Sequence, residues 1–142
     1  MSALWRNWLN VWCWLVVGFG VVLAGGGFDA SDGAIELLFG ILGPQAGELT
    51  WTPHLRFSTA LMGAVTIGWG LTFLAAFGAA HRLGDQAAPV WRMLTVAVVA
   101  WFVIDGALSA ATGFALNIAP NTALLIGYLL PVLAGGVLKA KD

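Results

Sequence analysis

The stretch from Trp101 to Ala110, WFVIDGALSA, sets a carboxylate, Asp105, inside an apolar run that extends from Val90 to Ala111. Such a run is long enough to cross a bilayer, which takes about 20 apolar residues of helix. Read as a soluble core helix it would carry an unexplained charge; read as a membrane span it carries one that must have a partner. Composition decides between the two. Of 142 residues, 60% are apolar and only 9% charged, and the mean hydropathy is +0.89. Soluble domains carry about 25% charged residues, so the chain belongs to the membrane class.

Working outward from that run, the hydropathy pattern predicts spans at about 8–26, 55–80, 90–115 and 121–138. The expectation is an all-α polytopic membrane protein, one four-transmembrane-helix bundle over 1–142. Arg6, an apolar run and LAGGG at 23–27 also have the layout of a signal peptide, but the tryptophan content of the run favours a retained span. The prolines agree with this division. Thr52-Pro53 has the form of an N-cap followed by a first-turn proline, and Pro89 and Pro120 stand at the openings of the next two helices. Pro131 alone falls within a span, where it should kink the helix and free a carbonyl. Between the first two spans, DGAIELLFGIL (32–42) places Ile35, Leu38, Phe39 and Leu42 at helical spacing. Some 10 residues are too few to cross a bilayer, so a short interfacial helix at about 32–43 is expected in the first outward loop. A helix packed on the mouth of the bundle is the alternative.

With four crossings, Arg6, Arg82, Arg92, Lys139 and Lys141 share one side, and Arg56 stands on the other beside Asp29, Asp32, Glu36 and Glu48. The positive-inside bias then puts both termini in the cytoplasm, with the bacterial inner membrane as the expected location. A net charge of −1 argues against a nucleic-acid partner, which needs a basic face. A lone cysteine, Cys13, excludes an internal disulfide or a CxxC redox pair. No metal motif or cofactor motif is present, which leaves a bound lipid or other lipophilic molecule as the cofactor class to consider.

Trp5, Trp8 and Trp12 stand at i, i+3 and i+7, and with Trp51 and Trp91 they are read as an interface belt; stacking on a ligand or partner helix is the other reading of the first three. Ala60, Ala64 and Gly68, with Gly106, Ala110 and Gly113, form small-residue stripes that would let helices pack closely, including across a dimer seam.

Asp105 lies about 15 residues beyond Pro89, roughly 23 Å along the axis at about 1.5 Å per residue, between the bilayer centre and the outer boundary. An ionised Asp near the centre costs roughly 2.5–3.5 kcal/mol on insertion scales. Arg56, in the first turn of the second span, is the expected partner. Ser109 and Thr112 continue the polar face of Asp105, while His54, Asn117 and Asn121 converge on the same half, and Glu36 is placed to cover it. Two uses of this cluster stay open: an ion-pair network that fixes helix register, or an outward-facing ligand or ion site. A proton relay would need further titratable groups inward, which the sequence lacks.

The segments DGALSAATGFALNIAPNTALLIGYLLPVL (105–133) and LRFSTALMGAVTIGWG (55–70) resemble small four-helix bacterial inner-membrane proteins of uncharacterised function. The shared features are an Arg opening the second helix, Asp then Ser in the third, an Asn-containing turn and a proline in the fourth. The layout is also similar to that of DoxX-like membrane proteins. The resemblance implies a topology and no particular activity. The function expected is non-catalytic: an accessory or interaction subunit packing against a larger membrane complex or lipophilic cofactors, with membrane lipid, other membrane subunits or further copies of itself as partners. The alternative is a small-molecule or ion binding or transport protein using Arg56, Asp105 and His54. An enzyme acting on lipids ranks third, since Asp105 lacks an evident second catalytic group.

Overall fold

The computed structural model describes residues 1–139, and Lys141 therefore lies outside the described residues. The chain is helical throughout, without strands among the described residues. Helix α1 spans Ala3–Gly25, α2 Gly33–Leu42, α3 Pro53–Leu83, α4 Ala88–Ala111 and α5 Ile118–Ala134. The continuous helical runs Ala3–Gly25, Pro53–Ala111 and Ala115–Ala134 are each long and apolar enough to cross a membrane.

The middle run, 59 residues long, would reach about 88 Å if straight, at about 1.5 Å per residue. It is not straight. Phe77 stacks on Trp91 at 5.4 Å, and Trp69 meets Trp101 at 5.2 Å, so the chain reverses between them. The reversal is the 3₁₀ turn Gly84–Ala87, opened by Gly84 at φ 58°, a conformation that glycine adopts without strain. Pro89 follows in the first turn of α4, where its missing N–H leaves no bond unmade. Thr52 caps α3 by accepting from the Leu55 N–H at 3.1 Å, with Pro53 at the first position.

α1 and α3 are antiparallel and packed backbone to backbone. Cβ atoms added at Gly63 and Gly70 would lie 2.2 Å from the Ala24 nitrogen and 3.1 Å from the Cys13 oxygen, and one at Gly20 would lie 2.7 Å from the Ile67 nitrogen. Close approach is thus built on Gly20, Gly63 and Gly70. The stripe expected from sequence is displaced from this contact. Ala60 does pack on Gly27, but Ala64 and Gly68 are exposed, and a Cβ at Gly68 would meet nothing within 4 Å. The seven-residue spacing of Gly63 and Gly70 holds one face toward α1; the stripe ending at Gly68 winds off that face. On the other hairpin, Gly106 faces Ile118 only loosely and Ala110 is exposed. Gly113 lies beyond the end of α4, at φ 88° in the turn.

The α1/α3 pair meets α4 and α5 through rings. Trp12 is 3% exposed and lies 5.7–6.4 Å, centroid to centroid, from Phe73, Phe77 and Tyr128. Trp91 is 2% exposed, with Phe77 stacked on it. Both were expected in the interface belt, and both are core residues. Their large ring areas fill the space between the α1/α3 pair and the α4/α5 pair, where Trp12 lies against Gly127. Trp5 and Trp8 pack edge to face at one end of the bundle, while Trp51 lies at the other.

α5 shows what Pro131 does to its neighbours. Proline has no N–H, so the carbonyl four residues back, Gly127, loses its helical donor. The Trp8 indole N–H supplies one at 2.8 Å, and Trp12 donates to the adjacent Leu124 carbonyl at 2.9 Å. Replacing Trp8 by Phe should therefore destabilise the fold by about 1–3 kcal/mol through an unpaired carbonyl. In a Pro131→Ala background, where the helical donor returns, the same replacement should cost markedly less. Unfolding of the four variants in detergent measures the coupling, and strictly additive effects would refute this account.

Candidate functional site

Asp105 and Ser109 are one turn apart on α4 and share a face. Beyond them α4 ends at Ala111, and the Phe114 N–H reaches back to the Ser109 carbonyl at 2.8 Å. The 3₁₀ turn Ala115–Asn117 then returns the chain, so that Asn117 and Asn121 on the next helix face Asp105. Asn117 stands at the N-cap of α5, yet its side chain makes no cap; it turns to α4 instead.

One carboxylate oxygen of Asp105, Oδ1, accepts from Ser109 Oγ at 3.2 Å, from Asn117 Nδ2 at 3.0 Å and from Asn121 Nδ2. Asn117 Nδ2 also donates to Ser109 Oγ at 3.0 Å. Ser109 and Asn121 are buried, at 8% and 6% exposure. The carboxylate is thus met by neutral donors on the adjoining helix, with no cation among them. The network closes on itself and ties α4 to α5. Two further ties run along the same pair: Thr95 Oγ1 lies 3.0 Å from the Tyr128 hydroxyl, and Arg92 Nε donates to the Leu138 carbonyl at 2.9 Å.

Arg56 does not join this group. Its Nη2 lies 2.6 Å from Asp29 Oδ1 and 2.9 Å from Asp32 Oδ2, and its Nη1 donates to the Gly26 carbonyl at 3.5 Å. Its Cζ sits 4.6 Å from the centre of the Trp51 ring, and the Trp51 indole donates to Glu36 Oε1 at 2.8 Å. The expected Arg56–Asp105 pair is therefore replaced by two separate polar groups. The reason is directional. Side chains on a helix lean toward its N-terminus. α3 begins and α4 ends at the end of the bundle where α2 lies, so Arg56 leans out toward the loop and Asp105 leans back into the bundle. The loop then supplies its own acids: Asp32 stands at the start of α2, and Asp29 stands just before it.

The remaining expected site residues divide accordingly. Glu36 belongs to the Arg56 group through Trp51. Thr112 turns to its own helix, donating to the Leu108 carbonyl at 2.8 Å, and does not reach Asp105. His54 is exposed, and among the described residues no hydrogen bond or ion pair joins it to either group. Sequence reasoning missed Asp29 and Asp32 as partners of Arg56, although their crowding with a lone outer Arg was a signal. It also missed the Thr95–Tyr128 tie, which only the α4/α5 register reveals.

α2 closes this end of the bundle. Ile35 is buried against Gly26 and Thr59, while Phe39 packs on Phe114 at 5.6 Å and Gly43 lies under the same ring. The helix thereby straps the α1/α3 pair to the α4–α5 turn. No group of His, Cys, Asp and Glu among the described residues is arranged to hold a metal. No family model, curated protein or solved structure matches the chain.

Two separate groups make a measurable prediction. Asp105→Ala strands the amide donors of Asn117 and Asn121 and should destabilise by about 1–3 kcal/mol. Arg56→Gln breaks partly exposed pairs and should cost no more than about 1 kcal/mol. Combined, the two should add to within about 0.5 kcal/mol, as independent sites do. Coupling well beyond that in detergent unfolding would mean that the two groups act as one.

Proposed function

We propose that the chain is a four-span integral membrane protein of the bacterial inner membrane, sharing the helical plan of DoxX-like proteins, and that it acts as a non-catalytic accessory subunit. In this reading α1, α3, α4 and α5 cross the bilayer, α2 lies at the outer interface, and both termini are cytoplasmic. Arg6, Arg82, Arg92 and Lys139 all belong to the end of the bundle opposite α2, which supports the orientation.

The observation that carries the subunit reading is the outer face of α4. Val96, Ala100, Val103, Ala107 and Ala110 follow one another at spacings of four and three residues, and all five are exposed. Val96 and Val103 are 59% and 60% exposed, while Trp91 and Val98 of the same helix are turned inward and buried. A smooth seam of small and β-branched residues at heptad spacing is what a second transmembrane helix packs against, because association in lipid depends on close van der Waals fit. The bundle interior, by contrast, is filled by rings, and the donors around Asp105 are already engaged. A partner helix from a larger membrane complex, or a flat lipophilic cofactor held between the two, fits the seam.

Purification in mild detergent tests this. The wild-type chain should co-purify with a membrane partner in fixed stoichiometry, and Ala107→Phe should release the partner while leaving the isolated chain equally stable. Retention of the partner by Ala107→Phe would remove the seam from the account.

Topology is tested separately, and the buried Cys13 leaves a quiet background for labelling. In intact cells Gln45→Cys should react with a membrane-impermeant maleimide, and Gln86→Cys should react only after lysis. The opposite pattern would invert the orientation.

A further inference from the structure

At the end of the bundle opposite α2, the first turns of α1 and the last turns of α3 flank an open cleft of about 470 Å³. Arg6, Asn7 and Asn10 line it from α1, and His81 and Arg82 line it from α3. The spacing explains the convergence: Ala3, Asn7 and Asn10 recur at helical intervals on one face of α1, as Gly78, His81 and Arg82 do on α3. Gly78 contributes no side chain and leaves the gap between the helices open; a Cβ there would meet nothing within 4 Å. Among the described residues no carboxylate lines the cleft. Among the described residues neither the Arg6 nor the Arg82 guanidinium has a hydrogen-bond or ion-pair partner. His81 rests its ring on Trp91 at 5.3 Å, and its Nε2 is buried without a partner, so hydrogen-bonding capacity is left over in the cleft wall.

Two guanidinium groups and two amides facing one gap, with no acid among the described residues that line it, form a donor set for a tetrahedral oxyanion. Arginine matches phosphate with paired N–H donors, and basic pockets between spanning helices suit anionic headgroups. Trp5 and Trp8 stand on the same turns of α1, 6.3 Å apart and edge to face. Trp8 is 46% exposed, with its indole N–H already committed to Gly127. Amphipathic rings so placed mark headgroup depth.

We propose that this cleft is a phosphate-binding site, in which Arg6 and Arg82 hold the anion and Asn7 and Asn10 complete its hydrogen bonds. The phosphate is either that of an anionic phospholipid headgroup or a free ion. The site rests on the chain lying in a membrane and is independent of the α4 seam.

The test uses the full chain in phosphatidylcholine nanodiscs containing dioleoyl phosphatidylglycerol, with lipid retention read by native mass spectrometry, and the chain in zwitterionic micelles titrated with inorganic phosphate, with the rise in Tm as readout. Wild type should retain phosphatidylglycerol, and Arg6→Gln/Arg82→Gln should bind it roughly thirtyfold more weakly, at about 1 kcal/mol per basic residue near the surface. Lys139→Gln, which removes a cation outside the cleft, should bind as wild type, and Arg6→Lys/Arg82→Lys should bind more weakly than wild type, since an ammonium lacks the paired N–H donors of a guanidinium. A Tm rise with inorganic phosphate that Arg6→Gln/Arg82→Gln abolishes, without lipid retention, supports the site with a free ion as its occupant. Equal loss in Lys139→Gln, or full retention in Arg6→Gln/Arg82→Gln, overturns it in favour of diffuse charge attraction. Insertion into nanodiscs with neither response overturns the site alone, whereas failure to enter nanodiscs at all overturns the membrane reading and the site together.

Discussion

In hydrocarbon an unpaired polar group has no water to fall back on, and each such group costs several kcal/mol. This constraint governs where the few polar side chains of the chain stand. Pro131 breaks the hydrogen-bond ladder of α5, and Trp8 repairs it from another helix. Thr59, Thr66, Thr72, Thr95, Thr112 and Thr122 return their hydroxyls to carbonyls of their own helices, so each satisfies itself at little conformational expense. Asp105 cannot satisfy itself, and the turn after α4 is shaped to bring two asparagine amides to it. The tie between α1 and α5 thus depends on a missing backbone donor, and the tie between α4 and α5 on a surplus acceptor.

The two hairpins are held by different physics. α1 and α3 approach so closely that added methyl groups would strike backbone, which maximises dispersion contact where no hydrophobic effect drives helix against helix. α4 stands off from α3 behind a layer of tryptophan and phenylalanine rings, and its link to α5 is made at polar points along its length. Rings fill a wide gap without fine complementarity, whereas glycine contacts demand one register. The α1/α3 pair is therefore held to one register by backbone contact, while α4 keeps an exposed apolar face.

Much of this was legible in the sequence, for reasons that can be named. Hydropathy and proline placement marked out apolar runs that overlap α1, α3, α4 and α5, because in this chain those runs are separated by polar or proline-bearing turns. The short helix at Gly33–Leu42 was visible from the spacing of Ile35, Leu38, Phe39 and Leu42. What was not legible was direction. Trp12 and Trp91 have the composition of belt residues, and only the facing of α1 against α3 and α5, and of α4 against α3, makes them core. Ala64 and Gly68 are as small as Gly63 and Gly70, but small size does not say which face meets a neighbour. Charge counting paired Arg56 with Asp105 because Arg56 is the lone outer cation and Asp105 the lone carboxylate of its span, passing over the acids of the adjoining loop; the lean of side chains along opposed helices separates the two.

That separation changes what Asp105 is for. Had it paired with Arg56, the bundle would hold a buried ion pair between α3 and α4, and α4 would be fixed from both sides. Instead its hydrogen bonds run to Ser109 on its own helix and to Asn117 and Asn121 on the α5 side, and α4 meets α3 through apolar contacts that include the Phe77–Trp91 and Trp69–Trp101 ring pairs. A helix anchored in this way keeps its register while its opposite face stays free. On α4 that free face carries alanines and valines in a heptad row. The carboxylate in WFVIDGALSA thus ties α4 to the α5 side, while Val96, Ala100, Val103, Ala107 and Ala110 stand exposed on the same helix.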